Sequence, residues 1–145
     1  MFFCSGKTRF SVAASEDFAT VRRVVDGDTF VLEGGEWIRL IGIDAPEYQP
    51  KKKHIDFFGR EALEYARRLL TGKKIRLEKD IDPTDDYGRT LAYVYLEDGR
   101  FVNLLLVQAG YAKVKYYSPN GRHYLELKQS QDKARRSKKG LWTRI

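Results

Sequence analysis

The sequence predicts a small α+β domain with a five-stranded β-barrel and three α-helices. The chain has 145 residues, a length typical of one domain with a hydrophobic core. Apolar residues alternate or run continuously in five segments, as in strands, and three other segments have the apolar content and spacing of helices. We expect residues 1–17 to form a flexible arm and residues 18–145 to form the domain.

The first three strands lie in the N-terminal third of the chain. Residues 18–25 predict the first strand, and residues 29–32 and 37–41 predict the next two. A Gly-Gly pair between the second and third favours a hairpin turn. Antiparallel pairing of these two strands brings the end at Asp28 close to Asp44.

The remaining elements alternate between strand and helix patterns. Residues 59–70 predict a helix, because apolar residues recur there every three or four positions and Gly72 is placed to end it. This order of elements fits a closed five-stranded barrel of the OB type. The other predicted segments are a loop at 46–54, strands at 74–79 and 90–96, helices at 102–109 and 124–139, and an extended segment at 111–117.

The charge of the chain favours an anionic partner. There are 27 Lys and Arg residues against 20 Asp and Glu, a net charge of +7. The basic excess is concentrated in residues 48–79 and 120–139, whereas residues 1–47 and 80–119 are net acidic. A polyanion-binding surface around a local group of acids is therefore expected. The lysine triplet 51–53 is either a solvated surface or a contact to a phosphate chain.

The compartment stays open at this stage. The single cysteine, Cys4, excludes an intrachain disulfide, which favours a reducing compartment without excluding secretion. No apolar run approaches the roughly 18 residues of a membrane span. The segment from Met1 to Gly6 is too short for a complete signal peptide, and we expect a frayed terminus or the remnant of a trimmed signal. The chain is expected to be a monomer.

Four acids flank the second and third predicted strands. Asp26 and Asp28 precede them, and Asp44 and Glu47 follow them. Clustered carboxylates resist ionisation unless a cation shares the site. Hard oxygen ligands suit Ca²⁺ or Mg²⁺ rather than zinc. The alternative is that the first two acids form only a turn and that Glu47 is a solvated loop residue.

Two arginines are placed to join these acids. Arg39 lies in the third predicted strand and Arg89 directly precedes the fifth. A guanidinium group binds two phosphate oxygens at once and neutralises charge on a reacting phosphate. The alternative is that both arginines form ion pairs that support the fold. Strict alternation from Ile38 puts Arg39 on the opposite face from Asp44, so the strand is expected to twist or break near Gly42.

The sequence predicts no specific role for the two histidines or for the basic helix near the C-terminus. His54 and His123 have no partner at a matching spacing and are expected to be surface residues. The basic helix at 124–139 is expected to be a solvated face that raises the local concentration of polyanions, an effect that falls steeply with salt.

The motifs that contain these acids and arginines resemble one known family. They are Val25-Asp-Gly-Asp-Thr29, Arg39-Leu-Ile-Gly-Ile-Asp-Ala-Pro-Glu47, Asp86-Tyr-Gly-Arg-Thr-Leu-Ala-Tyr93 and Val102-Asn103. In order and spacing they resemble the staphylococcal nuclease (thermonuclease) family over nearly the whole chain. The resemblance implies an OB-fold barrel with three helices. It also implies Ca²⁺-dependent hydrolysis of DNA and RNA at the bond to the 5′ oxygen, leaving 3′-phosphate products, and favours a secreted or cell-envelope location.

The resemblance implies a calcium site with named ligands. Asp28 and Asp44 are similar to the family's calcium ligands, and the backbone carbonyl of Ala45 is similar to a third ligand. Asp26 resembles a nearby acid that supports the metal shell.

The resemblance also implies catalytic and substrate-binding residues. Glu47 is similar to the general base, and Arg39 and Arg89 are similar to the pair that binds and activates the phosphate. Tyr87 and Tyr116 resemble tyrosines that contact the terminal phosphate and the base of the nucleotide. Single strands are expected to be preferred, because stacking requires an exposed base.

Two other functions are weighed against the nuclease. One is a nucleic-acid-binding module on the same fold that has lost catalysis, and the other is a calcium-binding structural protein. A binding module has no need to keep Asp28, Asp44, Glu47, Arg39 and Arg89 together. A structural calcium protein has no use for the arginines or the basic surface. The presence of all these features favours the enzyme.

Overall fold

The computed structural model describes residues 17–144. Cys4, the segment from Met1 to Gly6 and the rest of the predicted arm up to residue 16 lie outside the described residues. In chain order, the strands and α-helices are β1 (Ala19–Asp26), β2 (Thr29–Leu32), β3 (Trp37–Leu40), β4 (Ile43–Asp44), β5 (Tyr48–Gln49), β6 (His54–Ile55), α1 (Gly59–Leu70), β7 (Lys74–Glu78), β8 (Thr90–Leu96), α2 (Val102–Gln108), β9 (Lys113–Val114) and α3 (Tyr124–Arg136).

Five of these strands close into a barrel in the order β8, β3, β2, β1, β7. Neighbouring strands are antiparallel, except that β3 and β8 run parallel. The parallel pair is possible because a long segment, which includes α1 and β7, separates β3 from β8. The predicted α+β class, with a five-stranded barrel and three helices, is confirmed.

The hydrophobic core fills the barrel and the space under the helices. Phe30, Ile38 and Ile75 are fully buried inside it. Helix α1 adds Ala66 and Leu70 from its apolar face, and burial of each large side chain contributes about 1.5–3 kcal/mol to stability. Within residues 17–144, no helix is both long enough and apolar enough to cross a membrane.

The predicted break after the third strand is confirmed. Strand β3 ends at Leu40, Gly42 has a φ of +81°, and the chain resumes as β4. Strand β4 pairs with β9 instead of continuing in the barrel. A left-handed φ is easily adopted only by glycine, so Gly42 turns the chain and resets which side chains face the site.

Three predicted segments differ from the structure. The loop predicted at 46–54 contains β5, a 3₁₀ turn at Pro50–Lys52 and the start of β6, which pairs with β5. The extended segment predicted at 111–117 forms a strand only at Lys113–Val114. The last helix ends at Arg136, three residues early, and Lys138 has a φ of +53°, which a helix does not accommodate. Strands of two residues carry no alternation, so the pattern could not reveal them.

One buried side chain ties helix α2 to the barrel. Asn103 is 0% exposed, accepts a hydrogen bond from the Val94 amide at 3.0 Å and donates one to the Ile41 carbonyl at 2.8 Å. It therefore satisfies an amide in the middle of β8 and the carbonyl of Ile41, which lies between β3 and β4.

We predict that Asn103→Ala destabilises the protein by about 2–6 kcal/mol, because two buried backbone groups lose their partners at about 1–3 kcal/mol each. Urea denaturation measures this difference. Gln108→Ala, an exposed change on the same helix, is the control and is expected to stay within about 0.5 kcal/mol of wild type. Equal stability of the two variants would contradict the assigned role.

Candidate active site

The side chain of Arg39 brings two of the predicted metal ligands together. Its Nη2 atom lies 3.4 Å from Asp28 Oδ2 and 3.4 Å from Asp44 Oδ1. Its Nη1 atom donates to the carbonyls of Leu40 and Ile43, at 2.6 and 2.9 Å. Because the Arg39 side chain is only 11% exposed, these contacts fix its position at the end of β3.

The carboxylate of Asp28 is held by backbone as well as by charge. Its Oδ2 atom accepts a 2.7 Å hydrogen bond from the Ala45 amide, and its Oδ1 atom accepts one from the Thr29 hydroxyl at 2.9 Å. Asp28 and Ala45 are both buried, at 7% and 4% exposure. The structure thus places Asp28, Asp44 and Ala45 next to one another, as the sequence motifs imply.

The chemistry of this donor set fits a hard cation with an open coordination shell. Within residues 17–144, no group of three or more His, Cys, Asp or Glu side chains is arranged to hold a metal ion. A cation at Asp28 and Asp44 would therefore take the rest of its ligands from backbone carbonyls and water. Ca²⁺ accepts six to eight oxygen ligands of these kinds in flexible geometry. The partly exposed Asp44 side chain leaves this position open to solvent.

The side chain of Asp26 bonds to β5. Its Oδ1 atom accepts a 3.3 Å hydrogen bond from the Tyr48 amide, and its Oδ2 atom accepts one from Gln49 Nε2 at 3.1 Å. Burial raises the pKa of Asp26 despite these two hydrogen bonds, and the nearby charges of Asp28 and Glu47 raise it further. Asp26 thus anchors the β5–β6 hairpin beside the acidic pair.

Glu47 begins that hairpin and keeps its side chain half exposed. Its amide donates to Asp56 Oδ2 at 2.9 Å. His54 Nε2 lies 3.4 Å from Glu47 Oε1 and 3.3 Å from Asp56 Oδ1. His54 is a surface residue as predicted, but it has two acidic partners that the sequence pattern did not indicate.

Arg89 is oriented by an aspartate that the sequence analysis did not single out. Arg89 Nε lies 2.7 Å from Asp85 Oδ2, and Asp85 Oδ1 accepts from the amides of Tyr87 and Arg89. The Arg89 guanidinium also lies 5.3 Å from the centre of the Tyr87 ring. An aspartate at the start of a turn often accepts a hydrogen bond from the backbone amide two residues later. The segment Asp85-Asp-Tyr-Gly-Arg89 therefore contained a signal for the role of Asp85.

Two adjoining cavities bring the predicted catalytic residues onto one face. The first, of about 720 Å³, is lined by Glu47, Tyr87 and Arg89, among others. The second, of about 320 Å³, is lined by Arg39, Tyr87 and Arg89, among others. Tyr87 and Arg89 therefore stand between the two cavities, with one further catalytic candidate on each side.

The two predicted substrate tyrosines are placed differently. Tyr87 is 84% exposed and borders both cavities. Tyr116 packs edge-on against Tyr124, with ring centres 5.6 Å apart, and borders neither cavity. Its neighbour Tyr117 lines the second cavity. A role for Tyr116 in substrate binding stays a prediction that this placement does not favour.

Comparison with known proteins identifies the family. A family-level sequence model described as "Staphylococcal nuclease homologue" matches residues 37–144. The thermonuclease of Staphylococcus intermedius is 39% identical over 127 residues, which cover 86% of this chain and 75% of that protein. This chain belongs to the staphylococcal nuclease homologue family. The thermonuclease of Staphylococcus hyicus is 38% identical over 133 residues, 90% of this chain and 78% of that protein.

The family also includes much longer enzymes that carry a similar segment. Endonuclease YhcR of Bacillus subtilis is 37% identical over 142 residues, which cover 90% of this chain but only 12% of that protein. The shared segment is therefore a unit that occurs both in compact thermonucleases and within larger endonucleases. As a member of this family, the chain is a nuclease enzyme.

In this nuclease, the segment that carries Tyr87 and Arg89 is fastened at its base by distant residues. Asn120 forms two 2.8 Å hydrogen bonds with the backbone of Asp82. Asp80 Oδ2 accepts from the Tyr93 hydroxyl at 2.7 Å and from the Arg122 amide at 3.0 Å. These contacts join the loop before β8 to the loop before α3.

His123 belongs to the same anchoring region. Its Nε2 atom lies 3.0 Å from Glu78 Oε1, and its ring packs edge-on against Tyr93 at 4.4 Å between centres. With a side chain only 20% exposed, it is not the surface residue that the sequence predicts. The reason is the loop before α3, which places the His123 ring against Tyr93 and Phe101 and next to Glu78.

We predict that Asp80→Asn destabilises the protein at neutral pH, and that the difference shrinks in acid. Burial opposes ionisation of Asp80, but hydrogen bonds from the Arg122 amide, the Tyr93 hydroxyl and the Ile81 amide outweigh it and lower its pKa. The ionised form therefore stabilises the fold above the ordinary pKa of 3.8. This stabilisation is lost as the pH falls through the lower pKa of the folded state.

Urea unfolding at pH 7, 5 and 3 measures this effect. A loss of about 1.5–3 kcal/mol is expected at pH 7, the size typical of hydrogen bonds to a charged group. Asp17→Asn, an exposed substitution of the same type, is the control and should change little at any pH. A destabilisation by Asp80→Asn that is equal at pH 7 and pH 3 would show that ionisation of Asp80 contributes nothing.

Proposed function

We propose that this nuclease is Ca²⁺-dependent, hydrolyses DNA and RNA with a preference for single strands, and cleaves at the 5′ oxygen to leave 3′-phosphates. The observation that carries the proposal is the pair of adjoining cavities. They share Arg89 and Tyr87, with Glu47 on one side and Arg39 on the other. A phosphodiester at Arg89 would thus meet both guanidinium groups and a partly exposed carboxylate.

The two arginines are suited to bind and neutralise the scissile phosphate. The ion pair with Asp85 uses Nε of Arg89, so its two terminal nitrogens can bind two phosphate oxygens at once. Arg39 is fixed by backbone carbonyls and by Asp28 and Asp44. A fixed charge needs no reorganisation when negative charge grows on the phosphate oxygens, which is the main advantage of a preorganised site.

Glu47 is suited to accept a proton from the attacking water. Its carboxylate is half exposed and borders the first cavity, where a water molecule can reach it. His54 and the backbone contact with Asp56 hold the start of the hairpin that carries it. General-base catalysis of this kind contributes about 10²–10⁴-fold to a rate.

The acids beside Arg39 are suited to hold the calcium ion. Asp28 and Asp44, with a backbone carbonyl such as that of Ala45, provide the hard oxygen donors that Ca²⁺ prefers. When bound, the ion supplies positive charge close to the phosphate. Asp26 supports this region through its hydrogen bonds to β5.

The preference for single strands follows from the exposed aromatic rings. Tyr87 borders both cavities and Tyr117 the second, and a ring can stack only on a base that is not paired within a duplex. The net charge of +7 adds affinity for any polyanion, so binding is expected to weaken steeply with salt.

The decisive experiment is digestion of single-stranded DNA at mildly alkaline pH, with Ca²⁺ in one sample and chelator in the other. The product ends are then mapped. We expect cutting only with Ca²⁺, and products with 3′-phosphate and 5′-hydroxyl ends. Cutting that leaves 5′-phosphates would contradict the proposed bond. Tight binding without cutting, with every divalent ion tried, would point instead to a binding module that has lost the reaction.

We predict that Glu47→Gln lowers kcat by at least about 10²-fold, because the amide cannot accept the proton from water. Calcium affinity, measured by calorimetry, should change little, because Asp28 and Asp44 are intact. Glu97→Gln, the same substitution in the exposed turn after β8, is the control and should keep the wild-type rate. An unchanged rate for Glu47→Gln would remove Glu47 from the mechanism.

A further inference from the structure

A tryptophan borders the cavity that is lined by Glu47, the proposed general base. Trp37 begins β3, is 41% exposed, and lines the 720 Å³ cavity together with Glu47, Tyr87 and Arg89. Its backbone pairs with Val31 of β2. The backbone of Trp37 is thus held in the barrel wall, and the residue lines the same cavity as Glu47 and Arg89.

The Trp37 ring is not part of the hydrophobic core. The large residues of the core are almost fully buried, whereas Trp37 is 41% exposed and is one of the residues that line the cavity. Arg23 lies over the ring, with its guanidinium carbon 5.5 Å from the ring centre. A cation covers only one face of an aromatic ring, so the contact with Arg23 leaves the other face of the indole available for stacking.

A nucleic acid that passes Arg89 needs space for a nucleoside on each side of the scissile phosphate. The second cavity, with Arg39 and Tyr117, provides this space on one side of the Tyr87–Arg89 pair. The first cavity provides it on the other side, and Trp37 is the large aromatic residue there besides Tyr87 itself. The two cavities therefore match the two halves of a dinucleotide.

The charges of the first cavity favour a base over a second phosphate. Besides Glu47, it is lined by Glu36, whose Oε2 atom accepts a 2.6 Å hydrogen bond from the Thr90 hydroxyl. The positive charge of Arg89, which also lines this cavity, is used by the scissile phosphate, so the two carboxylates repel a second phosphate, whereas they do not oppose a neutral base. Stacking of a base on an aromatic side chain is favourable for every base, since each has a π-face.

We infer that Trp37 forms a base-stacking subsite for the nucleoside on the Glu47 side of the scissile bond. The occupant is an unpaired base of the substrate, of no particular sequence. The inference rests on the proposed nuclease activity, because it assumes that the scissile phosphate lies at Arg89. The competing explanation is that Trp37 only covers Arg23 and the barrel wall.

The first test is fluorescence. The chain has two tryptophans, so Trp142→Phe leaves Trp37 as the single indole, and Trp37→Phe leaves Trp142. Both are made in the Glu47→Gln background with Ca²⁺, so that a short oligothymidylate is bound but not consumed. Its addition should quench Trp37 and leave Trp142 unchanged. Binding that is detected by anisotropy but leaves Trp37 fluorescence unchanged would overturn the inference.

The second test is kinetic and uses a 5′-phosphorylated dinucleotide, whose single internucleotide bond defines the scissile position. Trp37→Ala should raise KM roughly tenfold or more, the size expected from loss of one stacked base, and should change kcat less. Trp37→Phe, which keeps an aromatic ring, should restore most of the affinity. Phe18→Ala, a ring of similar exposure outside both cavities, is the matched control and should behave as wild type.

Two analogues of this dinucleotide, each of which lacks one of its two bases, separate the possible outcomes. With the analogue that lacks the stacked base, wild type and Trp37→Ala should have the same KM; with the other analogue the difference should persist. A wild-type enzyme that cuts the dinucleotide, with no effect of Trp37→Ala on any substrate, would overturn the subsite alone. A wild-type protein that binds but cuts no substrate would overturn the proposed function, and the fluorescence test would still report on Trp37.

Discussion

The guanidinium group of Arg39 holds together the acidic half of the site. Its Nη1 atom binds the carbonyls of Leu40 and Ile43, and its Nη2 atom lies between the carboxylates of Asp28 and Asp44. These contacts connect the start of β2, the end of β3 and β4, so two acids from separate stretches meet. Without a positive charge between them, the two carboxylates would repel each other. The group that assembles the acids is thus also a charge that the proposed reaction uses.

The other half of the site depends on contacts that are much more distant in sequence. The segment with Arg89 and Tyr87 is held at its base by Asn120, which bonds to the backbone of Asp82, 38 residues earlier. Within the segment, Asp85 orients the Arg89 guanidinium. The barrel provides a rigid frame for both halves, because β3 and β8 are paired directly. Arg39 lies in β3 and Arg89 directly precedes β8, so this pair of parallel strands brings the backbones of the two arginines to the same part of the barrel.

The predictability of the elements follows their length. Helix α1 and strand β8 have the predicted bounds, because twelve and seven residues repeat a pattern often enough to define it. Strands β5, β6 and β9 have two residues each and show no such repeat. They exist because of their partners: β5 pairs with β6 and β9 with β4. The turn at Gly42 was predictable, since only a break there could turn Arg39 toward Asp44.

The sequence by itself determined the fold class, because its longer strands and helices repeat their apolar patterns. It also predicted the groups of the candidate site, because two arginines and three acids lie in local motifs whose spacing can be recognised. Only the tertiary structure decided which other side chains face them. Tyr117 lines the second cavity and Tyr116 does not, although the two are adjacent in the chain. His54 meets Glu47, and Trp37 borders the first cavity. Neighbouring residues in extended chain point in opposite directions, so these choices depend on how each segment packs and not on its composition.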